Sequence, residues 1–414
     1  MSEAVSKQKK NFKWQLECVV HSVVERCVGW LPGSWVYRLG EWIAVVMWHG
    51  IPHRRKVALR NLRIALAGEY SLAEIKALAK QSFRLTGGNL VSAARTAQLS
   101  PEALRDVVRI VNLERLECEL AKGRGVVLLL SHMGNWELLS RLVHLFPEGS
   151  QTGAFYRPLN NVLMDQRILE RRQADGTRMF SKRDPFHRAT GFLREGGIVG
   201  VLADHRVGQQ GVLMPFFGRL ARVSPLPSLL ARRAKASVLA MSMKTTEAGT
   251  WEVCFHEVAE PHHTVHCMQA LEKAMKESVL DVFWLHERWR MRLRGDASLT
   301  ERLGEAPPLA EKRFRMVLWL TGVGEDWEFP ERWQHAAVDY ECVLETQQAM
   351  PRSLAAMHCP RHDVGEGMSA KAYGKVLERL EESAALPIDV ILVPKAPRCL
   401  KKAAQHAAIP VAEL

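Results

Sequence analysis

The chain has few cysteines, and none in a metal-binding or redox spacing. Eight lie among 414 residues, at 18, 27, 118, 254, 267, 342, 359 and 399, and no C-x-x-C occurs. This excludes a zinc ribbon and a thioredoxin-like motif, and reads as reduced thiols in a cytosolic compartment. No G-x-S-x-G is present, so there is no serine-hydrolase elbow, and no Walker A lysine motif is present either. Residues 12–48 are apolar and aromatic, yet they lack the ~20 mostly apolar residues of a membrane span. Glu17, His21, Glu25 and Arg26 interrupt the first half, Arg38 and Glu41 the second. Residues 1–13 are polar and basic without an apolar h-region, so no secretory signal is expected. Acid is missing from two stretches. Residues 42–68 hold no Asp or Glu and five Lys/Arg; residues 205–246 hold none and seven.

What is present makes an ordinary core and an unusual charge. Apolar residues are 47% and charged residues 25%, enough for a globular chain of two or three domains. The formal charge of +12 points to an anionic partner: nucleic acid, anionic lipid or an acidic carrier protein. No nucleic-acid-binding motif accompanies the charge, so nucleic acid is not expected. Five of the twelve tryptophans, at 14, 30, 35, 42 and 48, crowd into the first fifty residues. Tryptophan favours the membrane–water interface, so residues 1–50 are expected to form amphipathic, membrane-associated helices. The rival is a helix pair packed on the protein. Next, residues 53–63 read as a helix with Lys56, Arg60 and Arg63 on one face, suited to a membrane surface or an anionic substrate. Ser71 and Glu74 form a capping box, and Ser100-Pro101-Glu102 opens a further helix.

From 106 to 258 strand-like and helical runs alternate. Strands are expected near 107–111, 126–131, 152–156, 198–202, 237–243 and 251–257. This is an α/β pattern, a mostly parallel sheet covered by helices. A helical run follows at 264–294. Ala306-Pro-Pro-Leu-Ala310 looks like a linker. Strands beyond it, at 316–320, 338–344 and 388–393, suggest a small α/β appendix over 311–414 of unknown role. The expected division is therefore 1–50, 51–300 and 311–414, with a chain ending near Ala310 still folding and keeping the activity.

The centre of the chain is 126–140. Five apolar residues run into Ser131 and His132; then come Gly134, Asn135 and the helical pattern Trp136-Glu137-Leu138-Leu139. His132 would end a buried strand, at the edge where α/β proteins place ligands. Gly134 permits the bend that brings Glu137 back to it, and Asn135 would cap the new helix. Asp204 closes another buried run, and Arg157 follows a third. Arginine there suits a phosphate or a developing oxyanion; a structural ion pair is the rival. Asp204 capping its own loop is equally compatible. His262, His263 and His266, like His358 and His362, read as surface or packing residues, so no metal is expected. The Thr321-Gly-Val-Gly324 turn is a weak phosphate-loop signal.

Five stretches in order, covering residues 15–295, resemble the late acyltransferases of lipid A biosynthesis. Arg54-Arg-Lys-Val-Ala-Leu-Arg-Asn-Leu62 resembles the family's basic helix, and Ser131-His-Met-Gly-Asn-Trp-Glu137 its H-x-x-x-x-E signature. Tyr156-Arg-Pro-Leu-Asn-Asn161, the loop Asp204 to Gly218, and Trp284-Leu-His-Glu-Arg-Trp289 complete the set. His205 stands where the family usually has Gln, and Val223-Ser-Pro-Leu-Pro227 where Thr-Gly-Pro is usual. The resemblance implies a glycerolipid-acyltransferase-like fold on the cytoplasmic face of the inner membrane. It implies transfer of a fatty acyl chain from acyl carrier protein or acyl-CoA to a hydroxyl of a glycolipid such as a lipid A precursor. It further implies His132 as base with Glu137 as its partner. Arg157, Asp204, Asn135, Tyr156, Arg54, Arg60 and Arg63 would bind substrate, with no cofactor. Neutral histidine suits proton removal from a hydroxyl, a carboxylate partner would fix its tautomer, and direct transfer needs no Ser or Cys nucleophile. The alternative is a non-catalytic membrane-surface scaffold on the same fold, which an intact His132 and Glu137 argue against.

Overall fold

The computed structural model describes residues 2–66, 69–181, 184–207, 211–289, 314–336, 338–345, 348–384, 388–407 and 409–414. Four helices open the chain: α1 (Ser2–Gly29), α2 (Gly33–Gly50), α3 (Pro52–Ala65) and α4 (Leu72–Thr96). The capping box forms as expected, with Ser71 N donating to Glu74 Oε2 (2.8 Å) and Glu74 N to Ser71 Oγ (3.3 Å). One face of α2 (Val36, Tyr37, Gly40, Ala44, Trp48) is buried. The contact is made by small residues: a Cβ on Gly40 would lie 2.3 Å from Gly87 O, and one on Gly88 would strike the Tyr37 ring. The other face stays apolar and exposed. Trp35, Leu39, Trp42, Ile43 and Val46 recur at helical spacing on it.

The strands are β1 (Val108–Ile110), β2 (Val126–Leu130), β3 (Thr152–Tyr156), β4 (Arg178–Ser181), β5 (Ile198–Leu202), the hairpin β6 (Val212–Phe216) and β7 (Arg219–Val223), then β8 (Ser237–Glu247) and β9 (Thr250–Glu257). Seven of them form one sheet in the order β1-β9-β8-β2-β5-β3-β4. All pairings are parallel except β8–β9. β2 and β5 lie mid-sheet and are apolar throughout because both faces are covered. The mixed α/β class with a mostly parallel sheet is therefore as expected. β4 and the hairpin are additions, short strands whose patterns are too brief to stand out. Residues 284–289 form turns rather than a helix.

Beyond 313 the chain builds β10 (Phe314–Leu320), β11 (Val338–Glu345), β12 (Arg361–Val364), β13 (Val390–Val393) and β14 (Val411–Glu413). They form a parallel sheet in the order β12-β11-β10-β13-β14, two strands more than the three expected. Apolar clusters cover both faces. The linker at 306–310 lies outside the described residues.

The compact units do not follow the linear boundaries at 50, 300 and 311. One consists of Met1–Arg55, Leu78–His205 and Pro225–Trp284; the other of Lys56–Ala77, Arg206–Ser224 and Leu285–Leu414. The second unit thus joins most of α3 and the β6–β7 hairpin to the C-terminal sheet. An ion cluster shows why. Glu381, in the helix Ala370–Glu382, lies 3.5 Å from Arg60 of α3 and 3.3 Å from Arg219 of β7. Arg219 is fully buried. Removing one partner of a buried pair costs roughly 3–5 kcal/mol. A chain ending near residue 310 is therefore expected to be insoluble or to melt well below the full chain, which differential scanning calorimetry of the two would measure. A truncated chain with an unchanged melting temperature would show that the appendix folds apart.

Candidate active site

The parallel register of β2 and β5 determines the site. Leu130 is opposite Leu202, so two residues further on His132 and Asp204 emerge together at the carboxyl edge of the sheet. Ala203 N donates to Leu130 O (2.9 Å) and extends the ladder up to them. Asp204 Oδ2 then accepts the His132 backbone N–H (2.9 Å), and Oδ1 lies 2.7 Å from His132 Nδ1. Both side chains are nearly buried, at 9% and 6% exposure.

Burial alone would raise the Asp204 carboxyl. The charge and hydrogen bonds of His132, with a smaller contribution from His205, outweigh it and hold the group well below the usual carboxylate range. An ionised Asp204 only accepts hydrogen bonds, so the hydrogen between the two side chains sits on His132 Nδ1. The imidazole packs edge-on between His205 and Trp136, at centroid distances of 4.1 and 5.3 Å.

Glu137 takes a different place from the one expected. Its carboxylate pairs with Arg172, at 2.7 Å to Nη2 and 3.2 Å to Nε. The carboxylate on the His132 ring is Asp204. The local reason is the turn after the strand: Trp136–Leu145 is a 3-10 helix, not an α-helix. Asn135 does not cap it. Asn135 is buried, and its Nδ2 donates to Thr96 Oγ1 (3.0 Å).

Gly134 bends as expected, at φ +56°, where a Cβ would also lie 2.8 Å from Met243 O. That bend is clamped by residues the sequence did not single out. Phe283 N donates to His132 O (2.7 Å), Gly134 N donates to Asp281 O (2.9 Å), and Met133 bridges Val282. The buried Asp281 side chain in turn accepts from Thr245 N (2.9 Å), Asn89 Nδ2 (3.2 Å) and Ser278 Oγ (2.7 Å). One signal was available: Asp281 is the lone acid in the apolar run Val279-Leu-Asp-Val-Phe283.

The remaining candidates separate. Ala154 is opposite Gly200, so Tyr156 ends β3 and exposed Arg157 follows at the same sheet edge, one strand beyond Asp204. Arg54 is exposed on α3. Arg60 does not share the exposed basic face. Its side chain keeps 15% exposure and is spent on Glu381, with Arg63 in the same electrostatic surroundings.

The sign of the Asp204 shift gives a pH dependence. A depressed folded-state carboxyl stabilises the fold above its ordinary value near 3.8, and this stabilisation is lost as pH falls further towards the folded value. Asp204→Asn is therefore expected to lower stability by ~3 kcal/mol at pH 7, as for one partner removed from a buried pair. The difference from the parent should shrink below pH 4. Urea melts at pH 7 and pH 3 test this; a difference that is the same at both would contradict it.

Residues 9–291 match the model of the bacterial lipid A biosynthesis acyltransferase family. The lipid A biosynthesis palmitoleoyltransferase of Escherichia coli K12 is 24% identical over 270 residues, 63% of this chain and 87% of that one. The phosphatidylinositol mannoside acyltransferase of Mycobacterium tuberculosis H37Rv is 29% identical over 140 residues, 33% of this chain and 44% of that one. With more than half its length matched, the chain belongs to the bacterial lipid A biosynthesis acyltransferase family, a family of O-acyltransferases.

Proposed function

We propose that the protein transfers a fatty acyl chain from a thioester donor, acyl carrier protein or acyl-CoA, to a hydroxyl of a glycolipid of the lipid A type. The observation that carries this reading is the buried His132–Asp204 pair at the open edge of the parallel sheet. In the proposed reaction His132 Nε2 takes the proton of the acceptor hydroxyl as its oxygen attacks the thioester carbonyl. Asp204 holds the ring in the tautomer that makes Nε2 basic and stabilises the imidazolium that forms. Collapse of the tetrahedral intermediate breaks the carbon–sulfur bond. The imidazolium returns the proton to the departing thiolate, so the ester and a free thiol leave and the histidine is neutral again. Arg157 on the neighbouring strand is suited to a phosphate or to the developing oxyanion. Glu137 takes part as half of an ion pair with Arg172 that fastens the 3-10 helix carrying Trp136.

We also propose that the enzyme acts at the surface of the inner membrane on its cytoplasmic side. Among the described residues no helix is long and apolar enough to cross a membrane. The exposed apolar face of α2, with Trp35 and Trp42 at 67% and 66% exposure, supports a helix lying in the interface. Exposed Arg54 and Lys56 follow it and suit anionic lipid.

Two experiments address this. His132→Ala should lose roughly 10²–10⁴-fold in turnover with purified acyl donor and glycolipid while staying folded, at a lower melting temperature because Asp204 loses its partner; activity within a factor of two of the parent would end the assignment. Trp35→Ser with Trp42→Ser should weaken sedimentation with phosphatidylglycerol vesicles, and Arg54→Gln with Lys56→Gln should remove most of the salt dependence of that binding. Unchanged binding by both double variants would place the membrane contact elsewhere.

A further inference from the structure

The His132 site uses the carboxyl edge of the large sheet. A cavity of about 380 Å³ opens at the amino edge, within the same compact unit. It lies between the helices Leu226–Ala234 and Thr264–Lys276, which Ser228 Oγ and Thr264 Oγ1 join at 2.8 Å. β2 and β8 fix its position. Val126 is opposite Ser237, and Ser237 N donates to Gly125 O (3.0 Å). Arg124 and Lys235 therefore stand side by side, each two residues before its strand, and both line the cavity. The two ends of β2 are roughly 13 Å apart, at about 3.3 Å per residue, and the cavity has no residue in common with the His132 site.

Its charge is one-sided. Arg124, Arg232 and Lys235 are exposed along it, the last two from the acid-free stretch 205–246. Glu260 is its one acid among the described residues, and that carboxylate lies 3.8 Å from His262 Nε2. The helix Thr264–Lys276 starts at the cavity with no acid in its first turn and no side-chain cap from His263, so its positive end borders the same space. Lys235 takes φ +56°, the left-handed position after a helix where glycine is the ordinary residue. Cations at 232 and 235 also suit the negative end of the helix Leu226–Ala234. That accounts neither for Arg124 nor for the uncapped start of the next helix.

We infer that this cavity is a second binding site, for a small phosphate monoester that carries an apolar or aromatic group. The clustered cations and the helix start match a dianionic phosphate. Leu229, Ala236 and Pro261 give the cavity an apolar wall for the rest of the ligand. Its volume falls within the ~300–1,000 Å³ of small-molecule sites. A bound anion also removes the repulsion between Arg124 and Lys235. A soluble metabolite and a lipid headgroup offer the same phosphate chemistry. The inference holds whether or not acyl transfer is the reaction at the other edge.

The test titrates the full chain calorimetrically with phenyl phosphate, and pellets it with phosphatidylcholine vesicles that contain or lack phosphatidate. The variants are Arg124→Gln with Lys235→Gln, and Arg232→Gln, which serves if the double variant does not fold. Arg233→Gln, exposed but outside the cavity, and His132→Ala are controls. The parent should bind one phenyl phosphate, and the double variant should bind it roughly tenfold or more weakly, as when charge-assisted hydrogen bonds are lost. Both controls should bind as the parent does. If phenyl phosphate fails to bind, but the double variant loses the phosphatidate-dependent part of pelleting, the site stands and its ligand is a lipid headgroup. Binding of neither probe by the parent would overturn the inference. Binding that the cavity variants leave unchanged, or that Arg233→Gln weakens equally, would overturn it too, as general attraction to a basic surface.

Discussion

A nearly buried carboxylate, with the His132 N–H and ring nitrogen as its hydrogen-bond partners, is the constraint on which the site is built. Asp204 can remain ionised there only if the histidine stays against it. That demand falls on the backbone as well as the side chain, because one oxygen takes the main-chain N–H and the other the ring. The strand end, the left-handed Gly134 and the Asp281–Phe283 segment that grips both all serve to keep His132 where two bonds can be made at once. This edge of the sheet is therefore specified mainly from behind, by Gly134 and the Asp281–Phe283 segment. Uncoupled strand ends would leave the imidazole free to rotate and either nitrogen free to hold the proton.

Much of this was legible in the sequence. The all-apolar runs at 126–130 and 198–202 announced central parallel strands, and each ended in a polar residue at the ligand-bearing edge. What could not be read was that β2 and β5 are neighbours. Strand order is a non-local property, and 67 residues separate their ends in sequence, from Leu130 at one to Ile198 at the other with residues 131–197 between. Glu137 was given the histidine because it was near in sequence, and Asp204 held it because it was near in space. Arg172 was invisible for a different reason. It sits in the charged run Glu170-Arg-Arg172, where nothing separates a pairing arginine from a solvated one. The same holds for Arg60: helical periodicity gave its face correctly, but periodicity carries no information on what that face meets.

The C-terminal sheet extends the chain beyond the part that matches the family. Its strands bring their own two-sided core. Within its compact unit, Glu381 ties this sheet's covering helix to α3 and the β6–β7 hairpin. A charged pin of this kind is a poor source of net stability, since desolvation offsets most of the attraction, but it tolerates no substitute on either side.

The glycine crossing of α2 on α4 has a mechanical consequence. Side chains normally keep helix axes 8–10 Å apart and let them slide or roll by changing rotamers. At Gly40 and Gly87 backbone meets backbone, and no rotamer exists to change. A helix seated in this way cannot alter its tilt without the rest of its unit moving too. If its tryptophan face rests in a lipid surface, the height and inclination of the catalytic edge above that surface are set when the chain folds. The enzyme would then meet its bilayer as a tool with a fixed handle, and reach only hydroxyls presented at one depth.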